Sequence, residues 1–192
     1  MKKLFLSLAV ILSYSISAQT TLPPSGSLYI QNYTPHYVGY VIWKSNLGSP
    51  ATGCTPNLEA RNISNDLMML KPTINASTPR EANYESNMNT GFTTNPTFPD
   101  TPLIERVNIN ANFNPPYNTG PTTIIELFSG VTTWAGMKIG ITNTSGVNIG
   151  GYYFLGASCG TSTIVTDFSA YTNPAVNASY FAFGGADWAV FF

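Results

Sequence analysis

Ser27–Lys44 reads SLYIQNYTPHYVGYVIWK, two runs rich in aromatic and branched residues that meet at Thr34-Pro35-His36. In the first run Leu28 and Ile30 fall on one face, and Tyr29, Gln31 and Tyr33 on the other. In the second, Tyr37, Val41 and Trp43 oppose Val38, Tyr40 and Ile42. Residues of these types suit a pleated, half-buried surface, and the period of two places them on opposite sides of a strand. The second run is apolar on both faces, which predicts a central strand covered on each side. Pro35 has no N–H to give a ladder, so the break belongs there. So short a connection predicts an antiparallel hairpin.

Further β-type runs follow at Leu103–Ile109, Thr122–Phe128, Gly136–Thr142, Val147–Leu155, Thr161–Phe168, Ser179–Phe183 and Asp187–Phe192. Many are separated by Gly-containing turns, with no helical segments between successive runs. That pattern predicts an all-β chain, an antiparallel β-sandwich of jelly-roll or immunoglobulin-like style, and disfavours a parallel α/β sheet. Residues 46–102 read as a polar, loop-rich insertion. Within it Thr78-Pro79-Arg80-Glu81 has the capping-box arrangement, which predicts a short helix over Pro79–Asn87. Ser64-Asn65-Asp66 before Leu67–Leu70 predicts one further helical turn.

The chain opens MKKLFLSLAVILSYSISAQT, with two lysines, an apolar core over Leu4–Leu12 and small residues leading to Ala18. This is the form of a secretory signal peptide, too short to span a bilayer comfortably, and it resembles export signals of Gram-negative bacteria. The expectation is removal of residues 1–18, no transmembrane helix in the mature chain, and a single domain over 19–192 in the periplasm, at the cell surface or outside the cell. Without Lys2 and Lys3 the chain keeps six basic and nine acidic groups and has no basic patch, which argues against nucleic acid and anionic membrane surfaces. Cys54 and Cys159 are the only cysteines, and an exported chain predicts a disulfide between them.

Three patterns resemble catalytic chemistry. Gly156-Ala157-Ser158-Cys159-Gly160 matches the G-x-S-x-G elbow of α/β-hydrolases. That motif needs a strand–turn–helix, whereas β-prone residues follow here, and the lone His36 precedes the serine instead of following it. His36, Asp100 and Ser158 supply the residue types of a hydrolytic triad in another order. Glu105 and Glu126 lie in LIERVNI and TIIELF, and such a pair suits glycoside hydrolysis only if the carboxylates face each other. A single histidine and dispersed carboxylates predict no metal site, and nothing in the sequence calls for a cofactor.

The strongest binding signal is NINANFN. Read as a strand, it puts Asn108, Asn110, Asn112 and Asn114 on one face, beside Tyr117. Amides that bond hydroxyls, next to a ring that stacks on a sugar face, make a saccharide site. The plainer reading is the wet face of a half-buried strand. Five Asn-x-Ser/Thr matches begin at Asn32, Asn62, Asn75, Asn143 and Asn177 and follow from the Asn-rich composition. The terminal Trp188-Ala189-Val190-Phe191-Phe192 resembles the closing strand of outer-membrane β-barrels. The expected function is a non-catalytic binding or structural module facing an envelope protein or a glycan. The alternatives are a secreted hydrolase and a small outer-membrane barrel.

Overall fold

The computed structural model describes residues 26–63, 67–75, 77–160 and 164–192. The expected signal peptide, the 64–66 cap and part of the 161–168 run lie outside them. Among the described residues ten strands form two sheets packed face to face. The smaller holds β5 (Arg80–Tyr84), β1 (Leu28–Asn32), β10 (Ala186–Phe191) and β9 (Ala178–Phe183), in that order. The larger holds β6 (Arg106–Ile109), β3 (Asn57–Arg61), β2 (Tyr37–Ser45), β7 (Thr133–Thr142) and β8 (Asn148–Gly156). In it β4 (Met68–Leu70) also pairs with β2. The all-β sandwich read from the sequence is the observed architecture. Both sheets are open at their ends, and their inner faces meet in one core. Leu28 and Ile30 of β1 join Val38, Tyr40 and Ile42 of β2, Met137, Ile139 and Ile141 of β7, and Ala189 and Phe191 of β10.

Four local expectations are corrected. The Ser27–Lys44 stretch is not a hairpin, because β1 and β2 belong to different sheets and Pro35 sits at the corner between them. Each run carries an inward apolar row, and facing the rows across the core buries both, which in-plane pairing would not do. β1 instead pairs antiparallel with β5 and parallel with β10. β2 does hold the central position, between β3 and β4 on one side and β7 on the other.

Residues 79–87 contain a strand, not a helix. Ala82 and Tyr84 alternate with Glu81 and Asn83, and Glu81, instead of closing a capping box, accepts from Gln31 Nε2 at 3.0 Å. Residues 57–84 likewise supply three strands, β3, β4 and β5, where the sequence reading placed a loop-rich insertion. Their runs are only three to five residues long, so each shows its inward pattern through a single pair, Leu58/Ala60, Met68/Leu70 or Ala82/Tyr84.

In the fourth case Thr123–Gly130 is a helix, α1, not a strand. Thr122 caps it by accepting from Ile125 N–H at 3.3 Å, and Ile125 and Ser129, four residues apart, face inward. Branched Ile124 and Ile125 suggested a strand, but the cap and the helical spacing of the buried positions prevail.

Cys54 and Cys159 form the expected disulfide, with Cα atoms 6.1 Å apart and a sequence separation of 105. It ties the β2–β3 connection to the end of β8. In the chain-entropy model a loop of this length contributes ~4–5 kcal/mol.

Candidate functional site

β6 is the last strand of the larger sheet, and the chain leaves it by a turn, not by a longer strand. Asn110 and Ala111 take left-handed φ of 50° and 56°, a conformation in which a short amide side chain is tolerated. The asparagine row is therefore not a strand face. Asn108, only 2 % exposed, donates from Nδ2 to Glu59 Oε1 at 3.0 Å on the outer face of the sheet. Asn110 Oδ1 accepts from Asn57 N–H at 3.0 Å, which closes the turn onto β3. Asn112 Oδ1 accepts from Asn114 N–H at 3.1 Å, a local turn bond of the kind Asn favours. Asn118 returns along the edge of β6, its carbonyl accepting from the Val107 N–H at 2.9 Å and its Nδ2 donating to the Val107 carbonyl at 3.1 Å.

These turns bring together what the strand reading did not. Asn108, Asn110, Asn112, Asn114 and Tyr117 all line one cleft of about 390 Å³ between β6, the 110–118 turn and α1. Its apolar wall is Val107, Ile109, Pro116, Ile124 and Phe128, and Asn118 completes the amide rim. Amides and one phenol supply its side-chain polar groups, and carboxylates and basic groups are not among the lining residues. The Tyr117 ring, 38 % exposed, is held by the Arg106 guanidinium, 4.2 Å from its centroid. A stacked cation of this kind fixes the plane of an otherwise mobile ring. An apolar wall with a few placed amides and an oriented ring suits an uncharged, hydroxyl-bearing ligand.

No protein-family model, curated protein or solved structure matches the chain. The site is therefore read from its own residues.

The groups of the hydrolase readings are committed elsewhere. Ser158 Oγ donates to Gly160 O at 2.9 Å beside the disulfide. Asp100 is paired with Arg80 at 2.8 Å and Lys71 at 3.5 Å, and His36 lies at the β1–β2 corner, its N–H on Thr34 Oγ1. Glu105 Oε2 accepts from Ile63 N–H at 2.9 Å, whereas Glu126 sits in the first turn of α1, where the helix dipole favours a carboxylate. The first glycine of the G-x-S-x-G pattern has a packing reason. Gly156 pairs with Gly136 across β7 and β8, and a Cβ on it would collide with the Ala135 carbonyl and the Gly136 Cα.

Lys44 is the more deeply buried of the two buried cations, Lys44 and Arg106, among the described residues. It points inward from β2, is 1 % exposed, and donates to the Ser86 carbonyl at 2.5 Å and the Ser129 carbonyl at 2.7 Å. Its ammonium lies 5.4 Å from the centroid of the Trp134 ring. Burial lowers its pKa to about 8, and the Asp187 carboxylate opposes that shift. The sequence had marked Lys44 only as the end of a strand. It also gave no hint of Ile124 and Phe128 as cleft residues, since α1 read as β. The 3.6-residue spacing of Ile125, Phe128 and Ser129 behind a capping Thr122 was the signal that could have found them.

Proposed function

We propose that the protein is an exported, non-catalytic binding module whose ligand is a neutral saccharide held in the cleft between β6 and α1. One observation carries this reading: five residues singled out for sugar chemistry line a single uncharged cleft with an apolar wall. Export is supported by the amino-terminal pattern and is compatible with the Cys54–Cys159 disulfide. Among the described residues no helix is long and apolar enough to cross a membrane. The barrel alternative fits less well, because a membrane barrel needs one closed sheet and these strands form two open ones. Binding is preferred to hydrolysis because the cleft offers amides and a ring where hydrolysis needs placed carboxylates or an activated serine.

The test is calorimetric titration of the mature protein with a panel of neutral oligosaccharides. Tyr117→Ala and Asn114→Ala serve as site variants, and circular dichroism monitors the fold. At least one saccharide is expected to bind, and both variants to weaken it about tenfold, the loss of roughly one good contact. Failure of every saccharide, or equal binding by both variants, overturns the reading. In that case an envelope protein becomes the partner to seek.

A further inference from the structure

The apolar wall of the β6 cleft does not end at the cleft; it continues along α1. Ile124 and Phe128 line the cleft, whereas Ile125 and Ser129 are the residues that α1 buries. At 3.6 residues per turn, Leu127, Val131, Ile124 and Phe128 fall within an arc of about 100°, beside the buried face and not on it. Ile124, Leu127 and Val131 are 43, 60 and 57 % exposed. Val131 follows the last turn, its N–H on the Phe128 carbonyl at 3.2 Å. Glu126, the only charged residue of α1, lies on the far side of the helix, so the stripe is uncharged.

The helix thus carries a second apolar face that the core does not use. Single exposed apolar residues are ordinary, but a contiguous row that begins inside a cleft marks where a ligand continues. From Ile124 to Val131 the row spans about 10 Å at 1.5 Å per residue, the reach of an alkyl chain on the order of eight carbons. A further sugar unit does not suit it, because its hydroxyls would give up water to Ile124, Leu127 and Val131 without gaining partners. A charged substituent finds no counter-ion among the residues lining the cleft.

We propose that the ligand of this cleft is a neutral alkyl glycoside, the chemistry of a glycolipid. Its sugar ring lies against Tyr117 and the amides, and its chain runs out over Ile124, Leu127 and Val131. This inference rests on the saccharide reading of the cleft and adds an apolar substituent to its ligand.

The test is an NMR titration of the mature protein with methyl, butyl, hexyl and octyl glucosides, each below its micelle concentration, following the Asn118 and Leu127 backbone amides. A chain covered on one side gains about twofold in affinity per methylene, so octyl glucoside should bind on the order of a hundredfold more tightly than methyl glucoside. Leu127→Ser combined with Val131→Ser should flatten the series and leave methyl glucoside unaffected, since both side chains project into solvent outside the cleft. Tyr117→Ala should weaken every member by the same factor, about tenfold, and keep the slope. The inference falls if no glucoside saturates, if the wild-type series is flat, or if the double variant keeps the slope. A flat series in which Tyr117→Ala still weakens methyl glucoside overturns the chain and leaves the saccharide reading standing. A slope that Tyr117→Ala leaves at full affinity, and that simple alcohols up to 1-octanol share, overturns both. Phosphatidylcholine vesicles without glycoside should not capture the protein in flotation; capture assigns the stripe to a bilayer surface and overturns the inference.

Discussion

The Tyr171 hydroxyl both accepts from the Phe154 N–H at 2.9 Å and donates to the Phe154 carbonyl at 3.1 Å. β8 is the second edge strand of the larger sheet, and at Phe154 this phenol joins the Val165 backbone, which bonds the Phe154 carbonyl at 3.4 Å and the Gly156 N–H at 2.8 Å, in covering that edge. An unpaired edge invites another chain to add to it, and a side chain that occupies both backbone groups blocks that register. Tyr171→Phe keeps the ring against Tyr153 and Phe168 but removes the hydroxyl. Expected are a loss of about 1 kcal/mol in urea unfolding and more self-association in sedimentation at high concentration. An unchanged sedimentation profile would mean that other contacts guard this edge.

Gly136 and Gly156 are required by the approach of β7 to β8. A Cβ on Gly136 would lie 2.5 Å from the Leu155 carbonyl oxygen, and both glycines hold φ near +150°. Clash and conformation act together, against backbone that cannot swing aside. Gly156→Ala should therefore cost more than about 2 kcal/mol, whereas Ser158→Ala, two residues on, should cost less than about 1 kcal/mol. Equilibrium unfolding of the two variants separates a packing glycine from a catalytic motif. A larger loss for Ser158→Ala would reverse that interpretation.

Lys44 makes stability depend on pH in an unusual direction. An amine whose pKa falls from 10.5 to about 8 on folding is charged in both states below about pH 8, where burial of the charge opposes folding. As pH rises above about 8 the folded form releases the proton before the unfolded form, so stability increases by up to roughly 3 kcal/mol. Burial raises Tyr40, Tyr84 and Tyr180, and Asp187 adds to the shift of Tyr180. Those phenols stay neutral in the fold while the unfolded chain ionises near pH 10, which lowers stability beyond that point. Asp187 is raised by burial, and the stability linked to it is lost as pH climbs through its folded value. The melting temperature should therefore rise from pH 7 to a maximum between about 9 and 10 and then fall. Lys44→Met should remove the rising limb, and a rising limb that persists in this variant would place the titrating group elsewhere.

The sequence revealed most where a strand alternates over many residues. The double apolar face of Tyr37–Lys44 announced a central strand, and β2 is one. It revealed least where pairing partners decide the state. Pro79-Arg80-Glu81 carries a good helix start, yet β1 offers a free edge, and sheet pairing outweighs a cap that helps by only about 1 kcal/mol. The cleft residues were legible by type and not by geometry. Asn108–Asn114 was read as a straight row, whereas the left-handed turn at Asn110 and Ala111 wraps it around a pocket. Whether two adjacent runs form a hairpin or a corner is not written in their periodicity at all. It depends on which arrangement buries both inward rows.

At that corner the deciding residue is Asn32. It is fully buried at the end of β1, and its Oδ1 accepts from the Thr34 N–H at 2.9 Å and the Thr34 hydroxyl at 2.8 Å. Its Nδ2 donates to the His36 and Lys71 carbonyls, both at 2.8 Å. One amide thus turns the chain from the smaller sheet toward the larger and fastens it to the segment following β4. Asn32→Ala orphans donors and acceptors in a dry site and should cost about 3 kcal/mol or more, far above an ordinary turn asparagine. Asn32→Asp keeps the acceptor but sets a carboxylate against two carbonyls, so it should be comparably damaging near neutral pH and partly recover when protonated in acid. Urea midpoints of both variants across pH 4–7 check this. If Asn32→Ala unfolds within about 1 kcal/mol of the wild type, the corner is held by the Leu28/Ile30 and Val38/Tyr40 rows alone, and the amide merely fills it.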